Sequence, residues 1–313
     1  MDLGIQIEPQ FGFSYDDILA IARAGERTGF TRLWLSDHLF LNADAAATDC
    51  LEAWTALAAL ARDTERIRIG PMVACQSYRN PALLAKTAAG VDRLSGGRLE
   101  FGLGAGWKEL EYRAYGYDFP PAAVRVDELV DALEICVRMW TEDRATYEGK
   151  RYRVSDAFCA PKPIQRPLPI WIGGSKPRIM RVAAKYATWF NFGMGADSTP
   201  DGIRARNAAL DAACTAAGRD PRGLHRSAFL SVITARTAGE LEAVVGELAG
   251  RAKQSPEAWR AARPTAIIGT PDRVVARLRE YAAVGVEHVN ALFPYRRELQ
   301  MVEVIGERVL PGL

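Results

Sequence analysis

Histidine is scarce in this chain, three in 313 residues, which argues against a histidine-rich metal centre. The five cysteines (Cys50, Cys75, Cys136, Cys159, Cys214) are scattered, odd in number and never in CxxC spacing. Neither a disulfide framework nor a zinc site is expected, and no metal ligand set is assigned. Long apolar runs are missing too: the longest are strand-sized, and the opening MDLGIQIEPQ has no basic segment ahead of an apolar one. A soluble, cytoplasmic protein without membrane contact is expected. Blocks of one charge are absent, since 40 basic and 38 acidic residues are interspersed and leave a net +2. Bulk charge therefore recruits no nucleic acid. Nor does a Pro/Ser/Gly linker divide the chain, so one domain over 1–313 is expected.

What is present is alternation. Short apolar or β-branched runs at 3–8, 31–36, 66–74, 98–104, 169–174, 188–193, 224–235 and 286–293 are interleaved with segments of helical period. Those segments include 14–29, 51–64, 81–94, 122–140, 177–187, 200–217 and a closing helix from about 297. In the second of them Leu51, Trp54, Ala58 and Ala61 share one face. Eight strands each followed by a helix predict the α/β class and a closed (β/α)8 TIM barrel rather than an open doubly wound sheet. Residues 141–168 and 251–268 are longer than ordinary connections, and read as insertions after strands 4 and 7 that form lids or interfaces.

A parallel barrel builds its site at the C-terminal strand ends. There LWLSDHLF (33–40) breaks an apolar run with Asp37 and His38. An Asp in that place often caps a turn, and a lone His is often structural; chemically, an imidazole can exchange a proton near neutral pH and an acidic neighbour can tune it. GLGAGW (102–107) offers bare backbone to a phosphate or a flat ring, but fails as a Rossmann fingerprint because Trp107 stands where the third glycine belongs. IWIGGSKPR (170–178) ends a strand in two glycines. Pro177 at a first helical position and Ser175 as its cap explain the string, but free N–H groups beside Lys176 and Arg178 also make an anion site. IIGTPDRV (267–274) has the same grammar, and Asp272 makes helix initiation its whole meaning.

YRNPALLAKTAAGVDRLSGGRLEFGLGAGW (78–107), SDH after the second strand, PLPIWIGG at the fifth and GTPDRVVARLREYAAVGVEHV near the end together resemble the luciferase-like monooxygenase superfamily, in its F420-dependent oxidoreductase branch. The resemblance runs nearly end to end and is strongest over 30–192. It implies a TIM barrel holding coenzyme F420, a deazaflavin, at its C-terminal face, usually as a homodimer. Asp37 and His38 match the pair near the deazaflavin ring, with His38 exchanging the proton. Met72, Val73, Ala74 and Cys75 match the bulge behind the ring, with Met72–Val73 as the place for a non-proline cis peptide. Gly104, Ala105, Gly106 and Trp107 match a loop near the ring edge and side chain; Gly173, Gly174 and Ser175 match the phosphate site. Asn191 and Gly193 are further pocket candidates. Sugar-phosphate dehydrogenases of the branch carry a glutamate where Trp107 stands; its replacement by an indole leaves Glu109 as the neighbouring acid. Trp107 with Phe40, Trp189 and Phe192 suggests a small, moderately hydrophobic organic substrate. The expected activity is F420-dependent hydride transfer. The alternative is an FMN-dependent monooxygenase on the same barrel, using reduced flavin and oxygen.

Overall fold

Local signals account for most of the element boundaries. In the computed structural model, which describes residues 1–313, strand β1 (Asp2–Ile7) leads to helix α1 (Tyr15–Thr28). Ser14 and Asp17 form a reciprocal capping box at the start of α1, and Gly29 ends it in the left-handed conformation. Strand β2 (Arg32–Leu35), α2 (Ala53–Asp63), β3 (Arg68–Pro71), β4 (Ala74–Cys75), α3 (Pro81–Leu94) and β5 (Phe101–Gly104) follow. Asn80 accepts from Ala82 N–H and Pro81 opens α3, so that helix starts where the chain's local chemistry places it.

The short α4 (Glu109–Ala114) and the 20-residue α5 (Ala122–Thr141) come next. An antiparallel hairpin, β6 (Ala145–Glu148) and β7 (Arg153–Ala157), fills the first predicted excursion. The barrel resumes with β8 (Ile170–Gly174), α6 (Pro177–Tyr186), β9 (Trp189–Phe192), α7 (Pro200–Ala216) and β10 (His225–Ile233). Two helices, α8 (Ala238–Arg251) and α9 (Pro256–Ala261), and the short β11 (Ile267–Ile268) then precede α10 (Pro271–Ala283), β12 (His288–Leu292) and α11 (Glu298–Arg308). The second excursion is therefore α9 with β11, and β11 pairs in parallel with the end of β10.

The parallel strands run in the order β3-β2-β1-β12-β10-β9-β8-β5-β4. That order has nine segments and eight barrel positions, because β3 and β4 are two halves of the third predicted strand. The lower half pairs with β2 and touches the next strand through an Ile69–Leu99 bridge; the upper half pairs with β5. Between them lies the bulge, where the Met72–Val73 peptide bond is cis, as the resemblance implied. The third and fourth strands approach too closely for side chains: a Cβ on Gly70 would lie 2.1 Å from Glu100 O, and one on Gly102 2.0 Å from Pro71 O.

The main core of 68 buried residues lies between strands and helices. Inside the barrel, at the N-terminal strand ends, a polar and aromatic plug forms the floor. Arg32 bonds Asp2 (2.9 Å) and Glu100 (3.1 Å), Trp171 Nε1 donates to Glu100 (2.6 Å), and Trp189 stacks on Trp171 at 4.5 Å. Fully buried His288 pairs with Asp2 and with Asn290 (2.7 Å), and burial lowers its pKa. No helix is long and apolar enough to cross a membrane.

Candidate active site

A cavity of about 510 Å³ opens at the C-terminal ends of the strands. Fourteen positions singled out from the sequence line it: Asp37 and His38 after β2, Met72, Val73, Ala74 and Cys75 at the bulge, Gly104, Ala105, Gly106 and Trp107 after β5, Gly173 and Gly174 ending β8, and Asn191 and Gly193 at the end of β9. Residues up to 156 positions apart, Asp37 and Gly193, thus meet because parallel strands deliver their ends to one face.

His38 is held from an unexpected side. Its Nδ1 lies 2.9 Å and 3.1 Å from the two carboxylate oxygens of Glu111, which is fully buried in α4. Glu111 also accepts from Leu39 N–H (2.8 Å), Phe40 N–H (3.3 Å), Tyr78 Oη (2.8 Å) and Lys108 Nζ (3.2 Å). Burial alone would raise its pKa, but the hydrogen bonds from His38, Leu39 and Tyr78 win and bring it down to about 2. Glu111 is therefore an anion at neutral pH, which fixes hydrogen on Nδ1 of His38. Nε2 is left without a protein partner. Tyr78 is pushed well above its ordinary range, by burial first and then by its acidic neighbours, so it stays a donor to Glu111. Trp107 meets the imidazole edge to face at 5.7 Å.

Asp37 does not touch that imidazole. Fully buried, it takes two hydrogen bonds from the Arg79 guanidinium (2.7 and 2.9 Å) and one from Cys75 N–H (2.9 Å). Its geometry pins the end of β2 to the bulge, and the acid that tunes His38 is Glu111 instead. Arg79 also bonds Glu52; despite burial, Asp37 and Glu52 raise its pKa. Cys75 Sγ sits 3.1 Å from Tyr112 Oη, and burial pushes the thiol up to about 11, so it is no nucleophile at neutral pH.

Five expected residues lie off the cavity. Glu109 faces solvent and pairs with Arg113 (2.6 Å): two steps along a helix turn a side chain about 200°, so Glu109 points out and Glu111 in. Trp189 begins β9, one inward layer below Asn191, and belongs to the floor plug. Phe192 alternates outward and packs on Phe190 in the helix-side core. Phe40 stacks with Tyr115 at 6.2 Å, with Lys108 over its ring. Ser175 lies beside the wall rather than in it, and Lys176, not Ser175, occupies the cap position of α6, with no side-chain hydrogen bond.

Sequence reading missed Glu8, Ser36, Tyr78, Lys108, Glu111, Ile179 and Phe229, all of which line the cavity. For Glu111 a signal existed: Lys108 and Glu111 stand i,i+3 beside an apolar Tyr112, the pattern of a short helix with one buried face.

The cavity has open backbone where a large flat ligand with a phosphate would lie. A Cβ on Gly193 would meet nothing within 4 Å, and one on Gly173 only Asn191 at 3.7 Å. Beyond Gly174 is the uncapped start of α6 with Lys176, where free N–H groups and positive charge favour an anion.

The sequence pattern of the luciferase-like monooxygenase family matches residues 2–288. An F420-dependent glucose-6-phosphate dehydrogenase of Microbacterium testaceum is 30% identical, over 96% of this chain and 94% of its own. An FMNH2-dependent dimethylsulfone monooxygenase of Pseudomonas putida is 27% identical, over 98% and 90%. Among solved structures, an F420-dependent secondary alcohol dehydrogenase in complex with an F420-acetone adduct superposes with a TM-score of 0.81, covering 99% of this chain and 98% of that one at 18% identity, a likeness of fold.

Proposed function

Because the chain belongs to the luciferase-like monooxygenase family, we propose that it is an F420-dependent oxidoreductase acting on a small, moderately hydrophobic organic substrate. One observation carries the reading: His38, oriented by a buried anionic Glu111, presents an unpartnered Nε2 in a cavity whose far side is bare glycine backbone leading to an uncapped helix start. The 30% identical relative that uses F420 supports the cofactor.

The residues fit such a group. Gly173, Gly174 and the start of α6 would take its phosphate, Met72 to Cys75 would back its ring, and Gly104 to Trp107 would border it. When bound, F420 supplies hydride chemistry at a carbon centre. The chain supplies the rest. Glu111 keeps the His38 Nδ1–H in place, so that Nε2 takes a proton from a substrate hydroxyl or, as imidazolium, gives one to a carbonyl oxygen. Asp37, through Cys75 N–H and Arg79, holds the bulge against which the ring would rest. Met72 and Val73, on the bulge, would exclude water from that side. Two copies of the chain would form a homodimer.

Equilibrium titration with F420, FMN and NADP under identical conditions tests this. F420 should bind at least about tenfold more tightly than FMN, a difference of roughly 1.4 kcal/mol. Turnover should proceed without oxygen. The 27% identical relative that uses reduced FMN keeps one second reading in place, an FMN-dependent monooxygenase; obligatory oxygen uptake with reduced FMN would establish it.

A further inference from the structure

We infer that the cavity admits an uncharged substrate, an alcohol or the matching carbonyl compound bearing no phosphate or carboxylate, and that Glu8 enforces this choice; the inference rests on the F420 reading above.

The balance of charge around the cavity carries it. Only Lys108 and the imidazole of His38 can bring positive charge to the wall. Lys108 Nζ is fully occupied, donating to Phe40 O (2.5 Å), Leu41 O (2.8 Å) and Glu111 (3.2 Å), which uses all three of its hydrogens. Three carboxylates face these two groups. Asp37 is paired with Arg79, which it shares with Glu52, and Glu111 with Lys108. Glu8 has no cation. It accepts from two side-chain amides, Gln6 Nε2 (3.0 Å) and Gln10 Nε2 (2.5 Å), and Ser36 Oγ fixes the second by donating to Gln10 Oε1 (2.7 Å). Amides hold a carboxylate in place without cancelling its charge.

Lys176 and Arg178, at the start of α6 beyond Gly174, lie off the cavity wall, and Arg79 behind Asp37 is shared between Asp37 and Glu52. Arg178 is already bound to Asp127 (2.6 Å) and Ala123 O (2.8 Å). At the His38 end each cation is thus already paired with a carboxylate, Lys108 with Glu111 and Arg79 with Asp37, while Glu8 on the cavity wall has no cation. A phosphate or carboxylate on the substrate would meet Glu8 with no cation on the cavity wall free to pair with it. A neutral hydroxyl fits instead, donating to Glu8 or to His38 Nε2. A close relative in sequence acts on glucose 6-phosphate by its name; the charge balance here points to a different choice.

With F420 bound, the wild-type protein is offered cyclohexanol against glucose 6-phosphate, and 2-butanol against 3-hydroxybutyrate, with turnover read from F420 absorbance and binding from calorimetry. The neutral member should exceed its anionic partner by at least about tenfold in kcat/KM in at least one pair. Glu8→Gln should narrow that gap by about tenfold, since it removes the charge and keeps the shape. Equal or better use of the anion in both pairs, a gap unchanged in folded Glu8→Gln, or no binding of either alcohol overturns the inference. The wild-type comparison decides alone if Glu8→Gln does not fold. Absence of F420 binding would strike the cofactor reading and this one with it, whereas F420 binding with a preference for anions strikes this one only.

Discussion

The Nδ1 atom of His38 lies 2.9 Å from a carboxylate oxygen of Glu111, a residue 73 positions away in the chain and fully buried. This pair joins the loop after β2 to the short helix after β5. It holds the imidazole in one orientation rather than leaving the ring free to rotate.

If Nε2 of His38 exchanges the proton, His38→Ala or His38→Asn should lower kcat by about 10² to 10⁴. F420 affinity and the folded circular-dichroism spectrum should change little. The wild-type profile of kcat/KM against pH should contain an ionisation that the variants lack. Near-normal turnover with an unchanged profile would remove His38 from the chemistry.

Glu111→Gln keeps the shape and removes the charge, so it should cost about 3 kcal/mol by leaving Lys108 without its anion, and lower kcat by about 10²-fold through loss of imidazole orientation. The pH dependence has a definite sign. The Glu111 carboxyl falls from an ordinary 4.5 to about 2 in the folded protein, so between those values the unfolded chain binds more protons. Its stabilisation is complete above pH 4.5 and is lost as pH falls toward 2. Asp2, whose pKa falls to about 2 because pairing with His288 and Arg32 outweighs burial, acts in the same direction. Urea unfolding measured across that range should show a shallower pH slope in Glu111→Gln than in the wild type.

Gly173 offers a clean probe of the phosphate end. A Cβ there meets only Asn191 at 3.7 Å, so Gly173→Asp should leave the thermal midpoint nearly unchanged. Its carboxylate would oppose a phosphate, and F420 affinity should fall by about tenfold or more. Unchanged affinity in fluorescence titration would remove this turn from the cofactor site.

Arg79→Met should destabilise by about 3 to 5 kcal/mol, because it strands the buried Asp37 carboxylate. Replacing both partners, as Asp37→Asn with Arg79→Met, should recover part of that loss in a double-mutant cycle. Full additivity of the two single changes would show that the pair does not act as a unit.

The sequence by itself determined the alternating order of strands and helices, the helical segments beginning near 14, 81 and 177, and the positions of SDH and the glycine turns, and the family resemblance it carries placed the bulge. These are local matters: period, caps and bare backbone are written within a few residues of where they act. Parallel strands in a barrel then carry such ends to one face, which is why fourteen of the chosen positions meet in one cavity. Which acid serves His38 was a different kind of question. Glu109 and Glu111 are alike in composition and near neighbours, and only the packing of α4 against the loop after β2 turned one to solvent and buried the other. Trp189 and Phe192 also followed the strand pattern but fell below the site and behind it, because depth along a barrel strand and the side that alternation faces are set by register with neighbouring strands. Register, helix-face orientation and the pairing of buried charges depend on residues far apart in the chain, so the tertiary structure alone decided them.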